Sequence, residues 1–423
     1  MNPSVPSDHD HAVERAARES YGRLLAYLSS RTRDVASAED ALAEAFIAAL
    51  NSWPRDGVPE RPEAWLLTVA RRRLADQQRR RAVFADAMQG LVSIMQKASD
   101  EAEAAEVFPD ERLRLLFACA HPAIDPALHA PLMLQTVLGL DAQRIASAFL
   151  VAPSAMSQRL VRGKAKIRDA GIRFETPPAD QLVERLGPVL QAIYAAYGSG
   201  WDDPCVVGEQ VQGLASEALS LSRILSRLLP DEPEASGLTA LMLYCESRRR
   251  ARRDAGGRYV PLDEQLSEQW DVAMIEEAER RLSAASRLGR PGRFQLEAAI
   301  QSAHMHRLSL GEPGWGEIVG LYDALIELSP SLGARVGRAA ALARAFDAHA
   351  GLAELDALQP QCGAYQPAWA LRADLLRRLG RGRESAAAFS RAIGLTSDPV
   401  VLEFLQRRAG ESGEGGGAVG TSR

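Results

Sequence analysis

The chain has 423 residues, which exceeds one ordinary hydrophobic core and predicts two or three domains. Hydrophobic residues make up 46% and aromatic residues only 6% of the chain, and abundant Ala, Leu, Arg and Glu favour helices, so we expect an all-α fold. The net charge of −5 argues against nucleic-acid binding only if the charge is evenly spread, and it is not. No apolar run is long enough to cross a membrane and no leader pattern opens the chain, so we expect a cytoplasmic protein without membrane contacts.

Residues 10–85 carry three helical patterns. The first places apolar residues from Val13 to Leu28 at three- and four-residue spacing. The second is predicted to begin at Ser37 as N-cap, with Asp40 completing a capping box and with Leu42, Phe46 and Leu50 along it. A loop rich in Pro and Gly (NSWPRDGVPERP) follows. Pro62 then starts a third helix with an inner stripe formed by Trp65, Leu66, Val69, Ala70 and Leu74.

The third predicted helix continues into RRRLADQQRRR, from Arg71 to Arg81. Arginines at this density repel one another unless an anion lies nearby, and a phosphate backbone is a natural anion. The alternative is a basic helix end stabilised by its own dipole, which accounts for about two or three of the arginines.

Residues 86–110 are predicted to be an acidic connector, and residues 111–175 a second compact unit. Its clearest feature is GLDAQRIASAFLVAPSAMSQRLVRGKAKIRDAGI, which starts at Gly139. A short helix, a tight LVAP turn and a second helix from Ser154 give helix-turn-helix spacing. The inner residues of the second helix are predicted to be Met156, Leu160 and Ile167.

The outer face of that second helix suits a DNA major groove. Ser154 and the helix N-terminus lie where a phosphate binds, and Gln158 and Arg159 reach base edges. Lys164 and Arg168 are expected to extend a positive strip for backbone contacts. The alternative is an ordinary helical hairpin with a solvated basic face. The predicted DNA-binding residues are Ser154, Ala155, Gln158, Arg159, Arg162 and Lys166.

Residues 180–407 are predicted to be a long helical extension, and residues 408–423 a Gly-rich tail without structure. The segment PAWALRADLLRRLGRGRESAAAFSRAIGLTSDP fits one tetratricopeptide repeat. Stacked helix pairs of this kind form an α-solenoid with a concave surface for a protein partner, and plain helical packing without a partner is the alternative. The repeat positions are Trp369, Ala373, Leu376, Gly380, Ser385, Phe389 and Ala392.

The order SAEDALAEAFIAAL, PEAWLLTVARRRLADQQRRR and helix-turn-helix resembles extracytoplasmic-function (ECF) sigma factors over roughly the first 175 residues. The resemblance implies a region-2 bundle at 10–85, a linker at 86–110 and a region-4 helix-turn-helix at 111–175. It implies a protein that binds core RNA polymerase, at the β′ clamp and the β flap, and directs promoter recognition and transcription initiation.

Carried over residue by residue, the resemblance implies three contact sets. Polymerase contacts fall on Asp40, Glu44 and Phe46. The outer face of the helix that starts at Ser154 would bind the minus-thirty-five element. In the minus-ten set, Arg72 stands where the family often has Asn, which puts base preference there in doubt. That set contains the loop 51–61 and the residues Trp65, Arg71, Arg72, Arg79 and Arg80.

The later segments, including HPAIDPALHAPLMLQTVLGL and LGRPGRFQLEAAIQSAH, resemble one subgroup of these factors across residues 10–405. That subgroup has a C-terminal tetratricopeptide-like domain and is often encoded beside a small YCII-related protein. The resemblance implies that the extension regulates activity or binds a protein partner.

Other classes of protein fit less of the chain. An operator-binding regulator with one helix-turn-helix and a helical sensor domain accounts for residues 139–405 but leaves Arg71 to Arg81 without a role. No HExxH, P-loop, dinucleotide or nucleophile-elbow motif is present, so we expect no enzyme, no cofactor and no metal. Buried free thiols are expected at the four widely spaced cysteines, Cys119, Cys205, Cys245 and Cys362.

Overall fold

The computed structural model is helical, as the composition predicts. Its only β feature within the described part is an isolated antiparallel bridge between Arg253 and Tyr259. None of the helices described combines the length and apolar character that a bilayer span requires. The side chains of Gln77–Phe84 and of several other helix ends fall outside the description. The structure describes residues 8–32, 34–84, 110–149, 151–169, 177–201, 209–310 and 314–414.

We number the described helices in chain order. They are α1 (Asp8–Thr32), α2 (Val35–Asp56), α3 (Pro62–Phe84), α4 (Glu111–Cys119), α5 (Pro126–Thr136), α6 (Ala142–Ala148), α7 (Pro153–Asp169), α8 (Leu182–Trp201), α9 (Glu209–Leu228), α10 (Pro233–Ser247), α11 (Val272–Arg287), α12 (Arg293–Leu310), α13 (Trp315–Leu328), α14 (Leu332–Ala345), α15 (Ala348–Ala357), α16 (Gln366–Arg378), α17 (Gly382–Gly394) and α18 (Pro399–Glu414). Short 3-10 helices lie at Ala179–Gln181, Arg250–Arg252, Leu262–Glu264 and Ser267–Gln269.

The chain divides into two compact units. Unit 1 comprises residues 1–202 and 208–229, and unit 2 comprises residues 203–207 and 230–423. Helices α1 to α9 belong to unit 1, and helices α10 to α18 belong to unit 2. The extension predicted from residue 180 therefore begins inside unit 1, and its first two long helices are part of that unit.

Helices α1, α2 and α3 form a bundle around a shared core, in which Leu25, Leu42 and Leu66 are fully buried. The inner side of α2 is lined mainly by alanines, which let the neighbouring helices approach closely. Leu50 of α2 is 47% exposed, whereas Leu42 is fully buried. The buried alanines of α2 are Ala38, Ala41, Ala45 and Ala49.

Both ends of α2 differ from the prediction. Asp34, rather than Ser37, is the N-cap: its carboxylate accepts the Ser37 backbone N–H at 3.1 Å, and a carboxylate also suits the positive end of the helix dipole. At the other end, α2 continues through Pro54 to Asp56, so the predicted loop 51–61 shrinks to residues 57–61. Trp53 is 1% exposed, and its burial holds this last turn against the core despite the missing proline donor.

Helix α1 also packs against α4 and α5. The approach is closest at Gly22, where a Cβ would overlap the carbonyl oxygen of Val137 and lie 3.1 Å from its carbonyl carbon. Only a residue without a side chain fits this contact. The bundle and the helices that follow it therefore share one compact unit.

Helices α8 and α9 complete unit 1. They pack on each other, and α8 also packs on α4, α5 and α6. Arg185 on α8 is 7% exposed and donates to the Phe117 carbonyl at 3.4 Å. Arg112, in the first turn of α4, pairs with Asp110 at 2.7 Å and with Glu217 of α9. These two helices thus cover the surface that α4 to α6 would otherwise expose.

Unit 2 is built from consecutive helices that pack on one another. In the α16–α17 pair, Ala373 and Ala392 are fully buried at the close approach, and Phe389 is 3% exposed. Gly380 ends α16 with a φ of 72°, in the left-handed region that favours glycine. The hydroxyl of Ser385 donates to the Ala373 carbonyl at 2.9 Å, which satisfies a polar group inside the pair. The tetratricopeptide assignment itself stays a prediction.

Candidate nucleic-acid interface

The arginine run on α3 starts where the buried stripe ends. Leu66, Ala70 and Leu74 are buried, and the backbone between them places Arg71 and Arg72 on the exposed side of the helix. Trp65, half-buried, meets Trp53 edge to face with ring centroids 5.6 Å apart. The remaining predicted residues, Arg79 and Arg80, lie on α3, but their side chains fall outside the described residues.

Tyr27 of α1 positions part of this arginine surface. The guanidinium carbon of Arg71 lies 5.0 Å from the Tyr27 ring centroid, and that of Arg31 lies 4.8 Å from it. Arg71 also donates to the Tyr27 hydroxyl. Two cations on one aromatic ring concentrate positive charge beside α3. No local sequence signal predicts this role of Tyr27, because the pairing joins residues far apart in the chain.

The outward face of α2 combines acid and apolar residues. Asp40 and Glu44 are exposed, as polymerase contacts require, but Phe46 differs from that expectation. Phe46 is half-buried and stacks on Tyr21 with ring centroids 6.4 Å apart, so it packs the bundle. Ile47 is 58% exposed and supplies an apolar side chain on this outward face.

A salt bridge links this face of α2 to α3. Arg73 Nε lies 3.2 Å from a Glu44 carboxylate oxygen, and both side chains are about half exposed. One arginine of the run is therefore paired with an acidic side chain of the bundle itself.

The α6–α7 pair has the predicted inner and outer sides. Asp141 caps α6 by accepting the Arg144 backbone N–H at 2.8 Å. Ile145 is fully buried on α6, and the buried residues of α7 are Met156, Leu160, Gly163 and Ile167. Gly163 lets Leu128 of α5 approach, because a Cβ there would lie 2.6 Å from a Leu128 methyl carbon.

All six predicted DNA-binding residues of α7 are exposed. The face they form carries the guanidinium groups of Arg159 and Arg162 and the amide of Gln158, and the Arg162 Nε donates to the Gln158 carbonyl at 3.3 Å. Lys164 departs from the predicted positive strip: its ammonium group binds the Glu39 carboxylate of α2 at 2.7 and 2.8 Å. Arg168 lies at a helix end whose side chain is not described.

Glu39 connects the bundle to the α6–α7 pair. It pairs with Lys164 and also with the Tyr21 hydroxyl. Burial, reinforced by the Glu39 charge and hydrogen bond, raises the pKa of Tyr21 well above its usual range. Tyr21 thus stays a neutral donor, and Glu39 joins α1, α2 and α7 in one polar contact.

Groups suited to metal or redox chemistry do not assemble in the described ranges. No cluster of three His, Cys, Asp or Glu side chains forms there. Cys119, Cys245 and Cys362 are free thiols, and Cys205 lies outside the described residues. Burial raises the pKa of Cys119 to about 12, so it is an unreactive packing residue.

Two parts of the chain match models of known protein families. Residues 17–83 match the model of Sigma-70 region 2, and residues 185–286 match a Family of unknown function (DUF6596), which begins on α8 and ends within α11. The chain is 39% identical over 402 residues to "Uncharacterized protein R00370" of Rhizobium meliloti (strain 1021), covering 94% of each chain. No solved structure matches the chain. The chain therefore belongs to the same family as the Rhizobium protein, and its residues 17–83 are similar to Sigma-70 region 2.

Proposed function

We propose that the chain is an ECF-type sigma factor that binds core RNA polymerase, directs it to promoters and initiates transcription. The observation that carries the proposal is the exposed arginine on both α3 and α7, in a chain whose residues 17–83 match Sigma-70 region 2. It catalyses no reaction and needs no cofactor in this role, since binding and positioning suffice.

In this proposal, the outward face of α2 binds the β′ clamp of the polymerase. Asp40 and Glu44 supply charge, and Ile47 and Leu50 supply an apolar contact that is 58% and 47% exposed in the free chain. An exposed apolar group rimmed by charges is typical of a protein-binding surface. Residues 111–175 would contact the β flap.

The surface of α3 then holds the minus-ten element. Single-stranded DNA is bound by aromatic rings that stack on bases and by arginines that follow the backbone. Trp65 and Tyr27 supply rings, and Arg71 and Arg72 supply exposed cations beside them. Arg79 and Arg80, further along α3, would extend this surface.

The α6–α7 pair would act as a region-4 helix-turn-helix on the minus-thirty-five element. Gln158 and Arg159 would read base edges, and Arg162 and Lys166 would bind phosphates. Residues 86–110 would link the two DNA-binding regions, and the tetratricopeptide-like helices up to residue 407 would regulate activity or bind a protein partner.

The test is transcription in vitro with core RNA polymerase on fragmented genomic DNA, with the transcript 5′ ends sequenced. Wild-type protein should produce a discrete set of starts. The Arg159→Ala/Arg162→Ala variant should lower their yield at least tenfold, since each base or phosphate contact contributes about 1 kcal/mol or more. The Arg71→Ala/Arg72→Ala variant should bind polymerase but fail to open the DNA.

Arg280→Ala is the matched control, because Arg280 is an exposed arginine on α11 in unit 2. It should leave the yield unchanged. A protein that shifts duplex DNA by itself and yields no starts with polymerase would contradict the proposal and favour the operator-binding regulator.

A further inference from the structure

Unit 2 contains a cleft of about 440 Å³ whose lining is rich in arginine. The volume lies within the range of ligand-binding pockets in proteins. Phe389 of α17 and Phe404 of α18 supply apolar wall between the charged groups. The lining arginines are Arg344, Arg377, Arg378 and Arg408.

One side of the cleft is formed by residues 261–264, an acidic segment of the chain itself. Asp263 pairs with Arg344 of α14, and its carboxylate lies 3.7 Å from Arg307 of α12. Glu264 pairs with Arg408 of α18. Two of the four lining arginines are thus neutralised by carboxylates that a loop supplies, not by the helices that carry the arginines.

The loop that carries this segment is built as an ordered arm. Asp254 accepts the backbone N–H groups of Gly256 and Arg258 at 2.9 and 3.0 Å, which closes a tight turn before the bridge residue Tyr259. Tyr259 then meets Phe404 edge to face at 5.3 Å. One aromatic contact and two acidic side chains therefore hold the arm on the cleft.

The other two arginines retain binding capacity. Arg377 pairs with Asp374 at 2.6 Å on its own helix, but its buried Nε has no hydrogen-bond partner among the described atoms. Arg378 is exposed and donates to the Ala343 carbonyl at 3.2 Å. Of the lining residues on α-helices, four are arginines and one, Asp374, is acidic, so the wall that the α-helices form is strongly positive.

We propose that this cleft binds an acidic peptide segment of a partner protein, and that Asp263 and Glu264 occupy part of it as an internal competitor. Arginine side chains bind carboxylates through charge-assisted hydrogen bonds, and the arm already forms one such contact each with Arg344 and Arg408. Three carboxylates in the lining would repel the dense charge of nucleic acid, whereas a peptide alternates acid groups with apolar side chains that fit against Phe389.

The direct test uses the full chain and a fluorescein-labelled hexaglutamate peptide, followed by fluorescence anisotropy. We expect saturable binding that weakens with added NaCl and exceeds that of a hexaglutamine peptide. Arg378→Gln should weaken it about tenfold, and Arg377→Gln/Arg378→Gln should weaken it further. Arg280→Gln is the control for loss of one exposed charge in unit 2 and should change nothing.

The variant that tests the competitor is Asp263→Asn/Glu264→Gln. It should bind hexaglutamate about fivefold more tightly, because the three ion pairs it removes are partly exposed and individually weak. Unchanged or weaker binding by this variant would overturn the internal competitor. If Arg378→Gln bound as well as wild type, or if citrate displaced the peptide at equal concentration, the cleft would not be a peptide site.

Discussion

The contact between α1 and the end of α5 makes a sharp prediction about Gly22. Replacing a helical glycine by alanine ordinarily stabilises a helix by about 1 kcal/mol. At Gly22, however, the new Cβ would overlap the Val137 carbonyl oxygen. Overpacking costs about 1–3 kcal/mol, and a backbone carbonyl cannot rotate away as a side chain can, so the upper end applies. The gain in helix propensity offsets part of this cost, so Gly22→Ala should destabilise the contact by about 2 kcal/mol.

Hydrogen–deuterium exchange read by mass spectrometry measures this locally. A loss of about 2 kcal/mol corresponds to roughly 30-fold faster exchange in peptides that cover α1 and residues 133–140. If the two groups of helices separate without unfolding, peptides from the α2 core keep their wild-type rates. If unit 1 unfolds as a whole, exchange rises in α2 as well.

Gly213→Ala is the matched control, since a Cβ at Gly213 of α9 meets no heavy atom within 4 Å among the described residues. It should slow exchange slightly, by the ordinary gain in helix propensity. Exchange of Gly22→Ala at the wild-type rate or more slowly would contradict the prediction, because α1 and α5 would then not be in contact.

Three further predictions concern the polar contact, the unit boundary and a buried histidine. A double-mutant cycle of Glu39→Gln and Lys164→Met, measured by urea unfolding, should give a coupling free energy of about 1 kcal/mol. The two side chains are 25% and 24% exposed, so the pair is only partly screened by solvent. A coupling free energy of zero would show that the pair is not formed. A fragment of residues 1–229 should unfold in one cooperative thermal transition measured by circular dichroism. A fragment of residues 1–178 should not, because that fragment lacks the helices that cover α4 to α6. Equally cooperative unfolding of the two fragments would contradict the prediction. Burial, chiefly, lowers the pKa of His304 to about 4 from an unfolded value near 6.5, and its buried Nδ1 has no hydrogen-bond partner among the described residues. Calorimetric stability should therefore fall between pH 6.5 and 4, by about 2 kcal/mol at pH 5, and His304→Gln should remove that loss.

The bundle of α1, α2 and α3 shows which features of a fold the local sequence determines. Pro62 and the apolar spacing that follows it predict the start and inner side of α3 correctly, because both depend on the helix alone. The ends of α2 were misjudged for tertiary reasons. Asp34 and Ser37 are both good caps three residues apart, and Pro54 indicates a break that the buried Trp53 overrides.

The candidate interface was predictable to the same extent. Helical periodicity places Gln158 and Arg159 outward once Met156 and Leu160 are inward. Lys164 was not predictable, because its partner Glu39 is 125 residues away and the choice depends on packing. The alanine-lined inner side of α2 also disguised which apolar residues face outward, since alanine is a weak hydrophobic signal.

The basic character of the chain ends at Pro177 and Pro178, and the extension is predicted to begin just after them, at residue 180. Proline marks a break in backbone regularity, not a boundary of packing. Helix α8 follows that break and buries Val189 and Ile193 within unit 1. No local pattern records that such a helix packs on preceding elements instead of following ones.

The Arg73–Glu44 salt bridge gives the two proposed surfaces of the bundle a thermodynamic connection. A partner protein that binds the Glu44 carboxylate frees Arg73 to bind an anion. An anion that binds Arg73 likewise frees Glu44 to bind the partner protein. Linkage makes the two effects equal, so each event strengthens the other by the same factor. Because the pair is about half exposed and such pairs contribute less than about 1 kcal/mol, that factor is at most about fivefold.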